Sequence, residues 1–555
     1  MRIRSQYLFL ILSVLLLSVI TVSAAAQTQP TSFDQVVDRV VASEQQYIQT
    51  LAKYTPIAET YIQNMKPDQE LGAVPESDRY FLGRVSTNDG LRDKSFLNDE
   101  PGFFRRVYNK ITSTMRVDYL PLGFAQMILI DGDGFDRAHY DFKFVRREFL
   151  GEVRTIVIDV SPKPKSGKGR FLGRIWVEDQ DFNIVRSNGT YVPRPRNGIY
   201  LHFDSWRLNM GPGLWLPAYV YSEESDLQTH FKQHLHYKAQ TRLWGYNAKN
   251  GEMQDEFTQV LVETGDSVRD RSENAQDLSP VASTRAWERQ AEDNVLERLQ
   301  KAGLLAVNGE VDKVLQTVVT NLEVTNNVNL EPELRCRVLL TSPMETFSVG
   351  HTIVISRGLL DVLPDEATLA AVLAHEMGHI ILGHKFDTRY AFNDRMYFPD
   401  ERTFRNFDFA RSVKDEQDAD VKAVELLKNS PYKDKLVSAG LFLRQLDSRS
   451  KALPQLIHAH LGNTLLERDR QLRMHELMMA SPNLEPKKLD QIAALPLGGR
   501  IKVDPWGNKI EISKNKPVAL QSPSEKMPFE VTPIFPYLTR LPAPAAKTVA
   551  ITGAQ

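Results

Sequence analysis

The spacing of apolar residues changes along this chain, and each change predicts a different kind of element. An apolar run covers residues 7–22, and Val36, Val37, Val40, Tyr47, Leu51 and Ile57 then recur at helix-like intervals. That recurrence predicts a helix over residues 33–65, kinked or divided at Pro56. From residue 80 to about 261 the period shortens to two. Runs such as TIVIDV (155–160), GRFLGRIWVED (169–179), IYLHFDSWRL (199–208) and LWLPAYVYSEE (214–224) are separated by Pro-Lys-Pro, Asn-Gly and Gly-Pro-Gly turns. These are the marks of antiparallel strands.

Residues 264–285 are polar and aperiodic, as a linker would be. Trp287, Ala291, Val295, Leu299 and Ala302 predict an amphipathic helix stopped near Gly303, and a second helix follows over about 311–322. LRCRVLLT (334–341) alternates as a strand with Cys336 on its apolar face, and TIVIS (352–356) reads as another. Beyond residue 482 prolines accumulate, with two short strands expected around a Pro-Trp-Gly-Asn turn at 500–512. The expected architecture is α+β and multidomain. An N-terminal antiparallel β domain (27–263), open-barrel-like, precedes the linker (264–285), a mainly helical domain (286–481) and a Pro-rich extension (482–555).

Composition changes this picture in three places. The 555 residues carry a net charge of −2, which gives no reason to expect nucleic acid or an anionic membrane surface as partner. Arg2 and Arg4 ahead of the first apolar run, with Ser23-Ala24-Ala25-Ala26 behind it, match a secretory signal cleaved after Ala26 (residues 1–26). The run is short for a comfortable span, so cleavage is favoured over an N-terminal membrane anchor, and no later stretch reads as transmembrane. The mature chain is expected to be soluble and exported, to a bacterial periplasm or the medium. Cys336 is the only cysteine, which excludes an intrachain disulfide and suits a buried structural thiol.

The strongest chemical signal is DEATLAAVLAHEMGHIILGH at 365–384. The helix is apolar almost all round, so its polar groups need a reason to be there. His375 and His379, one turn apart, can offer two imidazoles to one ion, while Glu376 can reach a water on that ion without ligating it. A catalytic zinc takes three protein ligands and keeps one place for water. The third ligand is offered by Glu416, 37 residues beyond His379 in KDEQDADVKAVELL (414–427). Asp420 lies one turn further on the same face and can hydrogen-bond a ligating imidazole. Small Ala419 beside it allows the two helices to approach. His384, five residues beyond His379, is a poor offset for that face and reads as structural.

AAVLAHEMGHIILGH followed by EQDAD resembles family forty-eight of the metallopeptidases, over residues 287–479. The family motif, His-Glu-x-x-His with a later Glu-x-x-x-Asp, falls on His375, Glu376, His379, Glu416 and Asp420. The resemblance implies a zincin fold, one Zn2+ per chain and endopeptidase activity on a polypeptide substrate. Two departures stand out. Glu345-Thr346-Phe347-Ser348 replaces the family's Asn-Ala-Phe-Ala. His460-Leu461 and Arg468 are the nearest text to its transition-state His-Pro and Arg, at different spacing. Substrate is expected to lie extended beside the strand near 352–355. The aromatic stretch from Phe386 to Phe409 reads either as a flap over the cleft or as core packing.

Residues 80–246, with IWVEDQDFNIVRSNGTY, resemble the lipoprotein-carrier type of open β-barrel, which implies a concave face for an acyl chain, lipoprotein or peptide. Two functions follow. One is a zinc endopeptidase in envelope protein quality control. The other is a lipid- or lipoprotein-binding protein or chaperone with minor or latent peptidase activity. Chelator-sensitive proteolysis favours the first, and an inert zinc protein that co-purifies with lipid favours the second. DGDGFD (131–136) opens like a calcium loop but has Asp136 in place of Gly and Phe142 in place of Glu, so it reads as a tight turn. His230, His234 and His236 lack a companion ligand pattern.

Overall fold

The computed structural model describes residues 32–68, 72–86, 92–96, 124–132, 134–193, 201–228, 234–248, 280–389, 391–392, 403–458, 460–464, 474–484, 501–504, 509–512 and 537–541. The expected signal and its flanking arginines lie outside them.

Helix α1 (Phe33–Leu51) is capped by Ser32, whose hydroxyl accepts the Gln35 N–H. It ends at Leu51, short of the expected 65. The chain continues as β1 (Tyr54–Asp68), because Thr55, Ile57, Thr60, Tyr61 and Ile62 suit a pleated surface better than a helix. Pro56 falls where the register slips between Thr55 and Ile57, a position that asks for no ladder N–H.

Nine more strands join β1: β2 (Gly72–Ser86), β3 (Arg92–Ser95), β4 (Tyr140–Leu150), β5 (Val153–Pro162), β6 (Arg170–Glu178), β7 (Ile184–Val192), β8 (Phe203–Gly211), β9 (Leu214–Gln228) and β10 (His234–Ala248). They form one antiparallel sheet in the order β3-β2-β1-β10-β9-β8-β7-β6-β5-β4, bordered by β3 and β4 rather than closed on itself. One face packs Ile156, Ile158, Phe171, Ile175 and Phe203 against α1 and residues 124–130. Glu44 and Arg207 lock α1 to β8 through two buried hydrogen bonds of 2.7 Å each. The DGDGFD segment is a turn, with Asp131 accepting the Gly134 N–H at 3.2 Å.

Helix α2 (Pro280–Lys301) begins inside the segment expected to be a linker. Ala291, Val295, Leu299 and Ala302 are buried as the spacing predicts, while Trp287 is half exposed and lies against Phe392. Then come α3 (Glu310–Asn326), β11 (Arg335–Leu339), β12 (Glu345–Val349), β13 (Thr352–Ser356), α4 (Arg357–Leu360), α5 (Glu366–Ile381), α6 (Val413–Lys428), α7 (Leu436–Ser450), α8 (Pro454–Ile457), β14 (Asn463–Thr464), α9 (His475–Ala480) and the hairpin strands β15 (Ile501–Asp504) and β16 (Lys509–Ile512). Cys336 is buried in β11, and burial pushes its thiol up to about 12, as suits a structural thiol. No helix of the described residues is long and apolar enough to cross a membrane.

The second sheet runs β11-β13-β12-β14. This corrects the expected substrate edge: β13 is paired on both sides, parallel to β11 and antiparallel to β12, and offers no free ladder. The strand bordering the functional site is β12, whose Glu345 and Thr346 pair with β14. Polar ties join this part to the β domain. Asp78 accepts the Gln455 and Leu456 N–H groups, and Arg242 donates to the Leu340 carbonyl.

Candidate metal centre

Helix α5 carries the site because its other residues can be buried. Asp365 caps it by accepting the Thr368 N–H at 2.8 Å, and Ala367, Ala370, Val372, Leu373, Ala374 and Met377 fill the core. Helix α6 is capped by Ser412, whose hydroxyl accepts the Asp415 N–H. The helices meet at Gly378 and Ala419. A Cβ on Gly378 would sit 2.8 Å from the Ala419 carbonyl oxygen, so this closeness needs a glycine.

That approach brings His375, His379 and Glu416 together, and it is the one such group among the described residues. The two Nε2 atoms are 3.1 Å apart, His375 Nε2 is 3.1 Å from Glu416 Oε2, and His379 Nε2 is 3.5 Å from Glu416 Oε1. Two ligands about 2.05 Å from one tetrahedral ion stand roughly 3.3 Å apart. The donor set and its spacing therefore fit zinc. All three residues are buried.

The far side of each imidazole is also held. His375 Nδ1 donates to Asp420 Oδ1 at 2.8 Å, and Asp420 Oδ2 accepts the Met474 N–H at 2.9 Å. This leaves His375 Nε2 facing His379 and Glu416. Burial disfavours charge on His375, but Asp420 and Glu416 outweigh it and raise this histidine to about 10. His379 goes the other way, lowered mainly by burial.

His384, which the helical offset sets apart from that face, lies beside His379. Helix α5 stops at Ile381, and Gly383, at φ +69°, turns the chain back. The His384 ring then lies with Nδ1 2.8 Å from His379 Nδ1, and its Nε2 lies 3.6 Å from Asp415 Oδ1. A glycine one residue ahead of a third histidine was the available signal.

Glu376 is fully buried beside the ligands. Its Oε1 accepts the Thr346 hydroxyl at 2.7 Å, so β12 fixes its position, while Oε2 has no hydrogen-bond partner among the described residues. A buried carboxylate oxygen left in this way is costly unless something else engages it, and a proton-bearing water at the metal position would do so. Arg411, unremarked in the sequence, donates to the Ser348 carbonyl at 2.9 Å. Burial lowers it, against the pull of nearby Glu376 and Glu416.

Other expected residues lie elsewhere. The His460 ring meets Tyr80 at 5.1 Å and the Gln455 carbonyl at 3.3 Å rather than the ligand group, and its N–H donates to Glu345. Arg468 lies outside the described residues. Phe404, Phe407 and Phe409 are core residues, with Phe409 stacked on Phe347 at 4.6 Å, which favours the packing reading over the flap for these three.

Residues 308–394 match Peptidase family M48. The match takes in both histidines and Glu376, while Glu416 comes into the group through the fold. Metalloprotease LoiP of Escherichia coli (strain K12) is 33% identical over 85 residues, 15% of this chain and 32% of that protein, so the chain spans about a third of the length of the curated relative it matches. Among solved structures, a putative outer membrane lipoprotein-sorting protein domain from Vibrio parahaemolyticus is 12% identical, covering 40% of this chain and 97% of that one, at a TM-score of 0.22. A LolA superfamily protein from Nitrosomonas europaea is 10% identical, covering 40% and 95%, at 0.20. Likeness at these scores assigns neither ligand nor function to the β domain. The stretch of the chain that positions both histidines and Glu376 is thereby one that matches Peptidase family M48, over residues 308–394.

Proposed function

We propose that the chain is a zinc-dependent endopeptidase acting on exported or misfolded envelope polypeptides. The observation that carries this reading is the convergence of His375, His379 and Glu416 with the Glu376 carboxylate beside them. The three would hold the ion through both Nε2 atoms and a Glu416 oxygen. A bound zinc supplies Lewis acidity at the scissile carbonyl and lowers the pKa of its water to about 7. Glu376 takes the water proton on Oε2 and delivers it to the leaving amine. Thr346 keeps Oε1 occupied, so the other oxygen is the one that moves the proton. Asp420 and His384 each accept from the Nδ1–H of one ligand histidine, fixing the tautomer that presents Nε2 inward.

Export and an envelope setting rest on the signal-like N-terminus in the sequence. The test is degradation of an unfolded protein such as reduced casein by the full chain. Cleavage should be lost with chelator and restored by zinc. Glu376→Gln should keep its metal and fold while losing at least about a hundredfold in rate. Full activity in that variant ends the proposal.

A further inference from the structure

Five residues of the C-terminal extension, 537–541, lie against the β domain. Leu538 is fully buried, in one cluster with Val153, Val157, Trp176, Trp206 and Trp215. Its carbonyl accepts the Glu152 N–H at 2.8 Å. At the β4–β5 turn, Gly151 has φ +67°, and a Cβ there would come within 2.5 Å of the Leu538 backbone. Two residues on, Arg540 meets the fully buried Glu178 at 2.5 Å and lies over the Trp215 ring at 5.7 Å. The Leu541 N–H donates to Asn209 Oδ1 at 2.8 Å.

We propose that this tryptophan-lined face of the sheet is a second polypeptide-binding site, and that the chain's own residues 537–541 occupy it in cis. The contacts are of the kinds that recognise an extended peptide: backbone hydrogen bonds, one aliphatic anchor in an apolar slot, and one cation on a buried acid. In an extended chain residues i and i+2 share a face, which is how Leu538 and Arg540 both reach the sheet. Pro542 restricts the preceding Leu541 to extended backbone. The site would take any extended polypeptide with an aliphatic residue followed two places later by arginine. Residues 513–536 join the segment to the β15–β16 hairpin, and a tethered ligand of this kind competes at roughly millimolar effective concentration. A peptide added in trans should therefore be excluded until the cis segment is released. The proposal stands independently of the peptidase reading.

The test uses the full chain and a fluorescein-labelled peptide of residues 534–544 (IFPYLTRLPAP), read by fluorescence anisotropy. Leu538→Asp puts a charge into the apolar slot, and Arg540→Glu opposes Glu178; each should release the segment. Both variants should then bind the peptide saturably, at least tenfold more tightly than the wild-type chain does. A peptide bearing Arg540→Glu should bind at least tenfold more weakly. Folded variants that do not bind the peptide overturn the proposal, as does equal binding to wild-type and released chains. Loss of folding in both variants would overturn it too, by making residues 537–541 part of the sheet's core.

Discussion

Replacing Gly378 with alanine tests how Glu416 is brought to the histidines. Alanine is the better helix former by about 1 kcal/mol, so in an isolated α5 the change would stabilise. Here the new Cβ would sit 2.8 Å from the Ala419 carbonyl oxygen and 3.2 Å from the Ala419 Cα, both on α6. These are backbone atoms of a packed helix, so relief requires α5 and α6 to separate. Overpacking of this sort costs about 1–3 kcal/mol. In the metal-free chain the helices can part and recover some of it. In the loaded chain, Glu416 and the two histidines must stay about 3.3 Å apart around the ion. The strain is then charged against metal affinity, which should fall by about 5- to 150-fold. Competition against a chromophoric chelator reads the affinity, and thermal unfolding with and without zinc reads which form is strained. A Gly378→Ala chain that binds zinc as tightly as wild type and unfolds no earlier when loaded would refute the reasoning.

Two further outcomes are expected. His384→Ala removes the partner of His379 Nδ1 and should weaken metal binding about 10- to 100-fold by the same competition assay, with the far-ultraviolet spectrum unchanged; an unaltered affinity would return His384 to a purely packing role. Asp78 is pushed up to about 6, chiefly by burial, against the N–H groups of Gln455 and Leu456. Its folded value thus lies above the unfolded one, near 3.9, so its contribution is full below about pH 4 and is lost as pH rises to about 6. Over that window Asp78→Asn should gain on wild type in unfolding free energy by up to about 3 kcal/mol. A difference that stays constant from pH 4 to 6.5 would contradict this.

Much of the site was legible because its chemistry is written in short spacings. One helical turn separates His375 from His379 and Glu416 from Asp420, and both pairs fall on the facing sides of α5 and α6. The β domain announced itself through period-two runs. The errors lie where a tertiary partner decided the outcome. Residues 54–65 are spaced well enough for a helix, but β2 and β10 flank them and make them a strand. The choice between β12 and β13 as the border of the site depends on pairing order, which no local pattern carries. His384 reached His379 only because Gly383 ends the helix. Thr346 departs from the family text, yet its hydroxyl is what holds Glu376.

The most direct measurement is elemental analysis of the purified full chain after chelation, reloading with zinc and desalting, beside His379→Ala and Glu416→Ala. One zinc per wild-type chain is expected, with less than a tenth of that in either folded variant. A folded wild-type chain that takes up no divalent metal, or a Glu416→Ala chain that retains a full equivalent, would contradict the account.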